Sequence, residues 1–290
     1  MFNIVFIWQA IMAERELAGE LERIIGKTSH SGQGKPILAL DTYGTMIGGL
    51  NVKQLNEAMF KYGQSHLGFS PEQEAQLRTR YEKDSKAPDY INETDPYKAR
   101  LITLAREGKI ELGFQADFFA DVPELLETAV QSRVNVVTLT KGGEHLLKAF
   151  YDSPLPRSIK VGDRTLSTYG EVVPAVSTSS DKFKFQKKDD PRCYAEFLAM
   201  AEKGGLDVRC YVTDDEKEAK AARIAFNAYR TLRGREIPVI HIPEEAHKQF
   251  IQDKKPTLVK REDGIYQTNT LLALFQIEEL IPRAQTTVVN

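Results

Sequence analysis

Two hydrophobic spacings alternate along the chain. Short, nearly unbroken apolar runs end in polar turns, and longer stretches place apolar residues three and four positions apart. Ile37-Leu38-Ala39-Leu40 runs straight into Asp41 and the turn-like Thr42-Tyr43-Gly44-Thr45. An apolar run of that length, bounded by turn chemistry, predicts a strand buried on both faces of a parallel sheet. Asn135–Thr140, Val208–Thr213 and Ile237–Ile242 predict further strands, rich in β-branched residues. Helical spacing predicts helices opening at Asp121-Val122-Pro123, over 144–151, from Pro191 to about Lys203, and over 216–233. This alternation of strand and helix predicts an α/β fold built on a parallel sheet.

The remaining stretches are less regular. Residues 13–27 predict an amphipathic helix with Leu17, Leu21, Ile24 and Ile25 on one face and Gly26 as its stop, and a polar Ser/Gly linker follows from Thr28 to Lys35. Directly after the Asp41 strand, the pattern predicts helices over 52–66, 71–84 and 95–107 and no strand. Ser70-Pro71-Glu72-Gln73 has the cap and first-turn residues of a helix start, and Thr94-Asp95-Pro96 opens the next one. Residues 51–113 therefore form a helical insertion. Short strand-like pieces are expected at 159–161, 171–173 and 182–185. The tail reads as a helix beyond 243, a hairpin around Asp263-Gly264 and a helix over 269–280.

Composition narrows the function classes. A chain of 290 residues is long enough for one large domain, or for a domain carrying a sizeable insertion. Its net charge of −2 gives no general attraction to nucleic acid or to an acidic membrane, so neither is expected as a partner. Cys193 and Cys210 are too few for a disulfide framework and fit a reducing, cytoplasmic setting. The histidines are scattered, and no Cys/His cluster has zinc spacing. The apolar start, Met1 to about Met12, is short of the ~20 residues a membrane-spanning helix needs. It has neither a basic start nor a small-residue cleavage site. It reads as an apolar edge of the first helix, or as an extension before a start at Met12.

The candidate chemistry lies at strand ends. A parallel sheet collects the carboxyl ends of its strands on one edge, where open α/β sheets bind ligands. Asp41, Thr140 and Asp214-Asp215 stand at three such ends, and Lys187-Lys188 precede the helix that leads to the last. Carboxylates brought together repel one another. Mg²⁺, a hard cation with oxygen ligands, relieves that repulsion and also binds phosphate. A carboxylate beside it can attack phosphorus, while hydroxyl, backbone N–H and ammonium groups hold the non-bridging oxygens. Each residue also has a structural use: Asp41 as a turn cap, Asp214-Asp215 as a helix N-cap, and the lysines as a solvated run with Lys182 and Lys184.

On these residues the chain resembles the haloacid dehalogenase-like (HAD) superfamily. The first family motif is an apolar strand followed by Asp-x-x-Gly-Thr, matched by Ile37 to Thr45. The second is a strand ending in Thr or Ser before a polar residue and Gly, matched by Val137-Thr138-Leu139-Thr140-Lys141-Gly142. The third is a lysine in a Lys-Pro-Asp-Pro-like segment; here it is Lys188-Asp189-Asp190-Pro191, with Asp189 in place of the first proline and Tyr194 downstream. The fourth is a strand ending in acids before a helix, matched by Val212-Thr213-Asp214-Asp215, with Thr213 where glycine is usual. The resemblance implies a three-layer Rossmann-like core over 35–50 and 114–290, a helical cap over 51–113, and an N-terminal helical extension and linker over 1–34.

The resemblance also implies roles. Asp41 is the expected nucleophile, Thr140 binds the transferred group, and Lys188 neutralises both. Thr45, Lys141, Gly142 and Lys187 are expected around the substrate. Mg²⁺ is expected on Asp41, Tyr43 (through its carbonyl), Asp214 and Asp215, with Glu218 in support. Tyr43 is a departure: phosphatases of the superfamily usually carry a second aspartate there, as general acid, and 2-haloacid dehalogenases carry tyrosine. General acid–base help is worth ~10²–10⁴ in rate. The expected function is a Mg²⁺-dependent phosphatase acting on a small phosphorylated molecule through an aspartyl-phosphate. The alternatives are a metal-free 2-haloacid dehalogenase with an aspartyl-ester intermediate, and a catalytically weakened HAD-like binding protein.

Overall fold

The computed structural model describes residues 17, 19–21, 23, 24, 34–180, 182–253 and 255–277. The apolar start, Ile25, most of the following linker and the end of the helix expected over 269–280 lie outside the described residues.

The strands are β1 (Lys35–Leu40), β2 (Ile47–Gly48), β3 (Asp117–Phe118), β4 (Asn135–Thr140), β5 (Pro154–Val161), β6 (Arg164–Thr168), β7 (Ala175–Ser177), β8 (Leu206–Thr213), β9 (Val239–His241), β10 (Leu258–Lys260) and β11 (Tyr266–Thr268). The helices are α1 (Val52–Tyr62), continued by a π-helical turn over Gly63–Leu67, then α2 (Pro71–Asp84), α3 (Pro88–Arg106), α4 (Val122–Gln131), α5 (Glu144–Tyr151), α6 (Tyr169–Val172), α7 (Pro191–Lys203), α8 (Glu216–Arg233) and α9 (Glu244–Asp253). A 3₁₀ helix follows at Leu271–Gln276.

A seven-stranded sheet in the order β10-β11-β9-β8-β1-β4-β7 forms the frame. All its neighbours are parallel except the β10–β11 hairpin. The fold is thus the expected α/β, Rossmann-like one. β1 lies between β8 and β4, and its alternate residues enter two different cores. Ile37 and Ala39 pack with Phe197 and Leu198 of α7 and Phe226 of α8. Leu38 and Leu40 pack with Leu125 and Leu126 of α4 and with Leu271 and Leu274. Burial on both faces is why the strand reads as a continuous apolar run. Leu21, with Leu17 and Ile24 beside it, closes one edge of the first core.

Residues between β2 and β3 leave the sheet and return through that short antiparallel pair. Helices α1, α2 and α3 build a separate apolar cluster from Leu55, Met59, Leu77, Tyr90 and Leu101, and Leu146 and Phe150 of α5 complete it. α3 begins at Pro88, not at Asp95. Pro88 supplies the first-turn proline, and Pro96 is accommodated inside the helix. Two strand-like pieces also come out differently. Residues 169–172 form the short helix α6, closed by a capping box between Thr168 and Glu171. Residues 182–185 form no strand, and Phe183 is buried from an irregular segment.

Candidate active site

β1, β4 and β8 end together on one edge of the sheet, and the residues that follow them converge. Asp41 continues the β1 path, its N–H donating to the Val212 carbonyl at 2.7 Å. The chain then turns sharply, with the Met46 and Ile47 N–H groups donating to the Thr42 carbonyl. Gly44 sits at φ +82°, and a Cβ there would collide with the Asp214 carboxylate. Glycine therefore serves twice, for the turn and for the approach of the second acid. Thr45 adds its hydroxyl, which donates to Asp214 Oδ1 at 3.3 Å.

Lys188 is the centre of this cluster. It stands just before α7, only 1% exposed. Its Nζ lies 2.7 Å from Asp41 Oδ2 and 2.6 Å from Glu218 Oε2. Burial alone would lower its pKa, but the two carboxylates reverse that and raise it, so the ammonium is firmly charged. Lys187 is exposed and does not join this cluster. The Asp41 carboxyl is raised to about 8: burial is the largest cause, Lys188 pulls against it, and Glu218 and Asp214 add to the rise. Asp214 rises to about 6, mainly through burial, with Glu218 and Glu244 adding to the effect. Two carboxylates thus share one ammonium, with a third, Asp214, in its field, so the acids of the cluster outnumber its cation.

The neighbouring strand supplies polar groups. Thr140 is buried at the end of β4, and its Oγ1 accepts from the Gly142 N–H at 3.0 Å. The Lys141 carbonyl accepts from Ser179 Oγ at 2.8 Å, and the Thr178 N–H donates to the Thr140 carbonyl. Gly142 has no room for a Cβ because the Tyr43 ring lies against it. Tyr43 packs edge-on to Phe150, and its buried hydroxyl has no hydrogen-bond partner among the described residues.

Asp215 is engaged elsewhere. Its Oδ1 accepts from the Lys217 and Glu218 N–H groups at 2.7 and 3.1 Å, as the N-cap of α8. Among the described residues, no group of three or more His, Cys, Asp or Glu side chains is arranged to hold a metal ion. Mg²⁺ asks for less: one or two carboxylates, with waters and phosphate completing its shell. Asp41 and Asp214 are carboxylates of that kind at one sheet edge, and their mutual repulsion in a buried setting is what a cation would relieve.

Sequence reasoning did not anticipate two features. Glu218 grips Lys188, where an acid in the first turn of α8 reads as a dipole partner or a metal support. Asp95 arrives from α3 and caps α5. Its carboxylate accepts from the His145 and Leu146 N–H groups at 2.6 and 3.1 Å, against a glycine, Gly143, whose Cβ would collide with it. A chain-local signal for either pairing is absent.

No family model matches the chain, and no curated protein matches it. Among solved structures, the chain is similar to the UTR4 protein of Saccharomyces cerevisiae, at 14% identity over 73% of this chain and 91% of that one, with a TM-score of 0.44. It is similar to CbbY of Rhodobacter sphaeroides in complex with phosphate, at 18% identity over 71% and 85% of the two chains, with a TM-score of 0.39. It is also similar to the HAD domain of the effector protein Lem4 of Legionella pneumophila, at 14% identity over 77% and 96%, with a TM-score of 0.37. Its structural neighbours include HAD-family proteins. Among the described residues, no helix is long and apolar enough to cross a membrane.

Proposed function

We propose that this protein is a HAD-like phosphatase that hydrolyses a small phosphorylated molecule with Asp41 as nucleophile. The observation that carries the proposal is the buried Lys188 ammonium, 2.7 Å from Asp41 at the carboxyl end of the central strand. An ammonium fixed there orients the carboxylate and meets the charge of an arriving phosphoryl group. Asp41 attacks phosphorus, the bond to the leaving oxygen breaks, and that oxygen takes its proton from solvent. Water then attacks the phosphorus of the aspartyl-phosphate, releasing phosphate and restoring Asp41. Thr140 and the Lys141-Gly142 backbone hold the non-bridging oxygens, with Thr45 beside Asp214. Mg²⁺ on Asp41, Asp214 and the Tyr43 carbonyl would supply charge neutralisation for the phosphoryl oxygens. The helices over 51–113 act as the cap that excludes water and selects the leaving group.

A second reading, metal-free dehalogenation of a 2-haloacid, is favoured by Tyr43 alone, which offers no carboxylic acid to a leaving group. It leaves Asp214 without a use. Assays with an aryl phosphate and with 2-chloropropionate, each with Mg²⁺ or with chelator, separate the two. Phosphate release that needs Mg²⁺ and vanishes in Asp41→Asn supports the first reading. Halide release that ignores chelator replaces it with the second, and the absence of either turnover across a broad panel favours a ligand-binding role.

A further inference from the structure

Lys98 is a buried cation that forms no salt bridge among the described residues. It lies on α3, 5% exposed, and among the described residues it makes no hydrogen bond and no ion pair within 4.0 Å. Its Nζ sits 5.2 Å from the centroid of the Tyr90 ring. The groups around it are already engaged. The Tyr90 hydroxyl donates to Asn56 Oδ1 at 3.0 Å, and Asn56 Nδ2 donates to the Val52 carbonyl at 2.8 Å. Asp95, one turn earlier, holds the two N–H groups of α5 with its two oxygens. Burial therefore pushes the Lys98 ammonium down to about 8, and Asp95 offsets this only in part.

Its position connects it to the site. The Asn92 Nδ2 donates to the Ser179 carbonyl at 3.2 Å, and Ser179 Oγ reaches Lys141. Asp95 lies against Gly143. Asn92 and Asp95 border the junction between the insertion and the Thr140–Gly143 loop, and Lys98 stands one turn along α3 from Asp95. A buried ammonium with only a ring face and an already engaged carboxylate near it is costly, and a methionine would fill the same space without that cost. The structure thus keeps a charge where packing does not need one.

We propose that Lys98 binds a second anionic group of the substrate, so that the favoured substrates carry a phosphate or carboxylate in addition to the phosphoryl group met by Asp41. This rests on the phosphatase reading of the Asp41 site and names its substrate class. The transferred phosphoryl group is held on the sheet edge, and the far end of the molecule is held from α3. Monophosphates of neutral alcohols lack that second contact.

Alkanediol monophosphates, the corresponding bisphosphates and the corresponding phospho-carboxylates, over a series of chain lengths, provide the probes. Their affinities are measured by titration calorimetry on Asp41→Asn protein, which does not turn them over. At one chain length a bis-anion is expected to bind about tenfold tighter than its monophosphate, or more, as for one charge-assisted contact. Lys98→Met is expected to abolish that gain, Lys98→Arg to retain part of it, and inorganic phosphate binding to stay unchanged in both. Lys98→Met should also melt no lower than its parent, an outcome that a purely structural lysine would not give. If no bis-anion outbinds its monophosphate, or the gain survives Lys98→Met, the subsite is overturned, whatever the turnover assays show. If the gain follows Lys98 but the wild-type protein hydrolyses none of the series, the subsite stands and the phosphatase reading fails.

Discussion

At the scale of single residues, Lys188 decides what the cluster can do. It is the shared counter-ion of Asp41 and Glu218, and both contacts are buried. Removing one member of a buried ion pair typically costs about 3–5 kcal/mol, because the other is left uncompensated. Lys188→Met is therefore expected to lose activity and to unfold at markedly lower urea concentration at neutral pH. Asp41→Asn should behave in the opposite way. The Asp41 carboxyl is raised on folding, so its favourable contribution is full below the unfolded value near 4 and is lost as pH rises through about 8. With chelator present, Asp41→Asn is expected to melt at or above the wild-type temperature at pH 8, with the difference shrinking towards pH 4. A lower melting temperature at pH 8 would show that the carboxylate is a net stabiliser.

At the scale of elements, α3 and α5 are joined at both ends. Asp95 caps the N-terminus of α5, and Arg106 donates to the Ala149 carbonyl near its C-terminus while its guanidinium lies 4.9 Å from the Phe150 ring. A carboxylate at the positive end and a guanidinium at the negative end both suit the helix dipole. Asp95→Ala removes the cap, and a loss of about 2 kcal/mol in chemical unfolding is expected, at the upper end for such residues. Asp121 makes a similar junction. Its carboxylate receives bonds from His247 of α9, the Thr270 hydroxyl and the Leu271 N–H. Burial works against it, but these bonds hold its carboxyl below the usual range. It therefore stabilises the fold above pH ~4, and that contribution is lost as pH falls through its folded value. Asp121→Asn should flatten the acid limb of a stability–pH curve measured by urea unfolding; an unchanged limb would refute this assignment. These two acids also mark where sequence reading stops. Asp95-Pro96 has the look of a helix start, and Asp95 does cap a helix. That helix is α5, however, fifty residues further along the chain, and no local pattern specifies it.

At the scale of the whole molecule, the parallel sheet was legible because β1, β4 and β8 carry mostly apolar segments buried on both faces, with polar residues largely at their ends. Helices with strong boundary residues, such as Pro71 in α2 and Pro191 in α7, were equally legible. Short elements were not: β2 and β3 have two residues each and exist only because the chain must leave the sheet and return. Of the candidate site, the strand-end residues could be named from the sequence, since topology alone gathers them on one edge. The pairing of Lys188 with Glu218, the choice of Asp215 rather than Asp214 as the capping acid and the exposure of Lys187 depend on side-chain placement and required the structure. The central claim is that Asp41 becomes covalently phosphorylated. The most direct measurement is acid quenching of the protein during turnover of an aryl phosphate with Mg²⁺, followed by borohydride reduction and peptide mass analysis. Conversion of Asp41 to homoserine in wild-type protein, absent without substrate, is the predicted result. Phosphate release with Asp41 unmodified, or undiminished in Asp41→Asn, would contradict it.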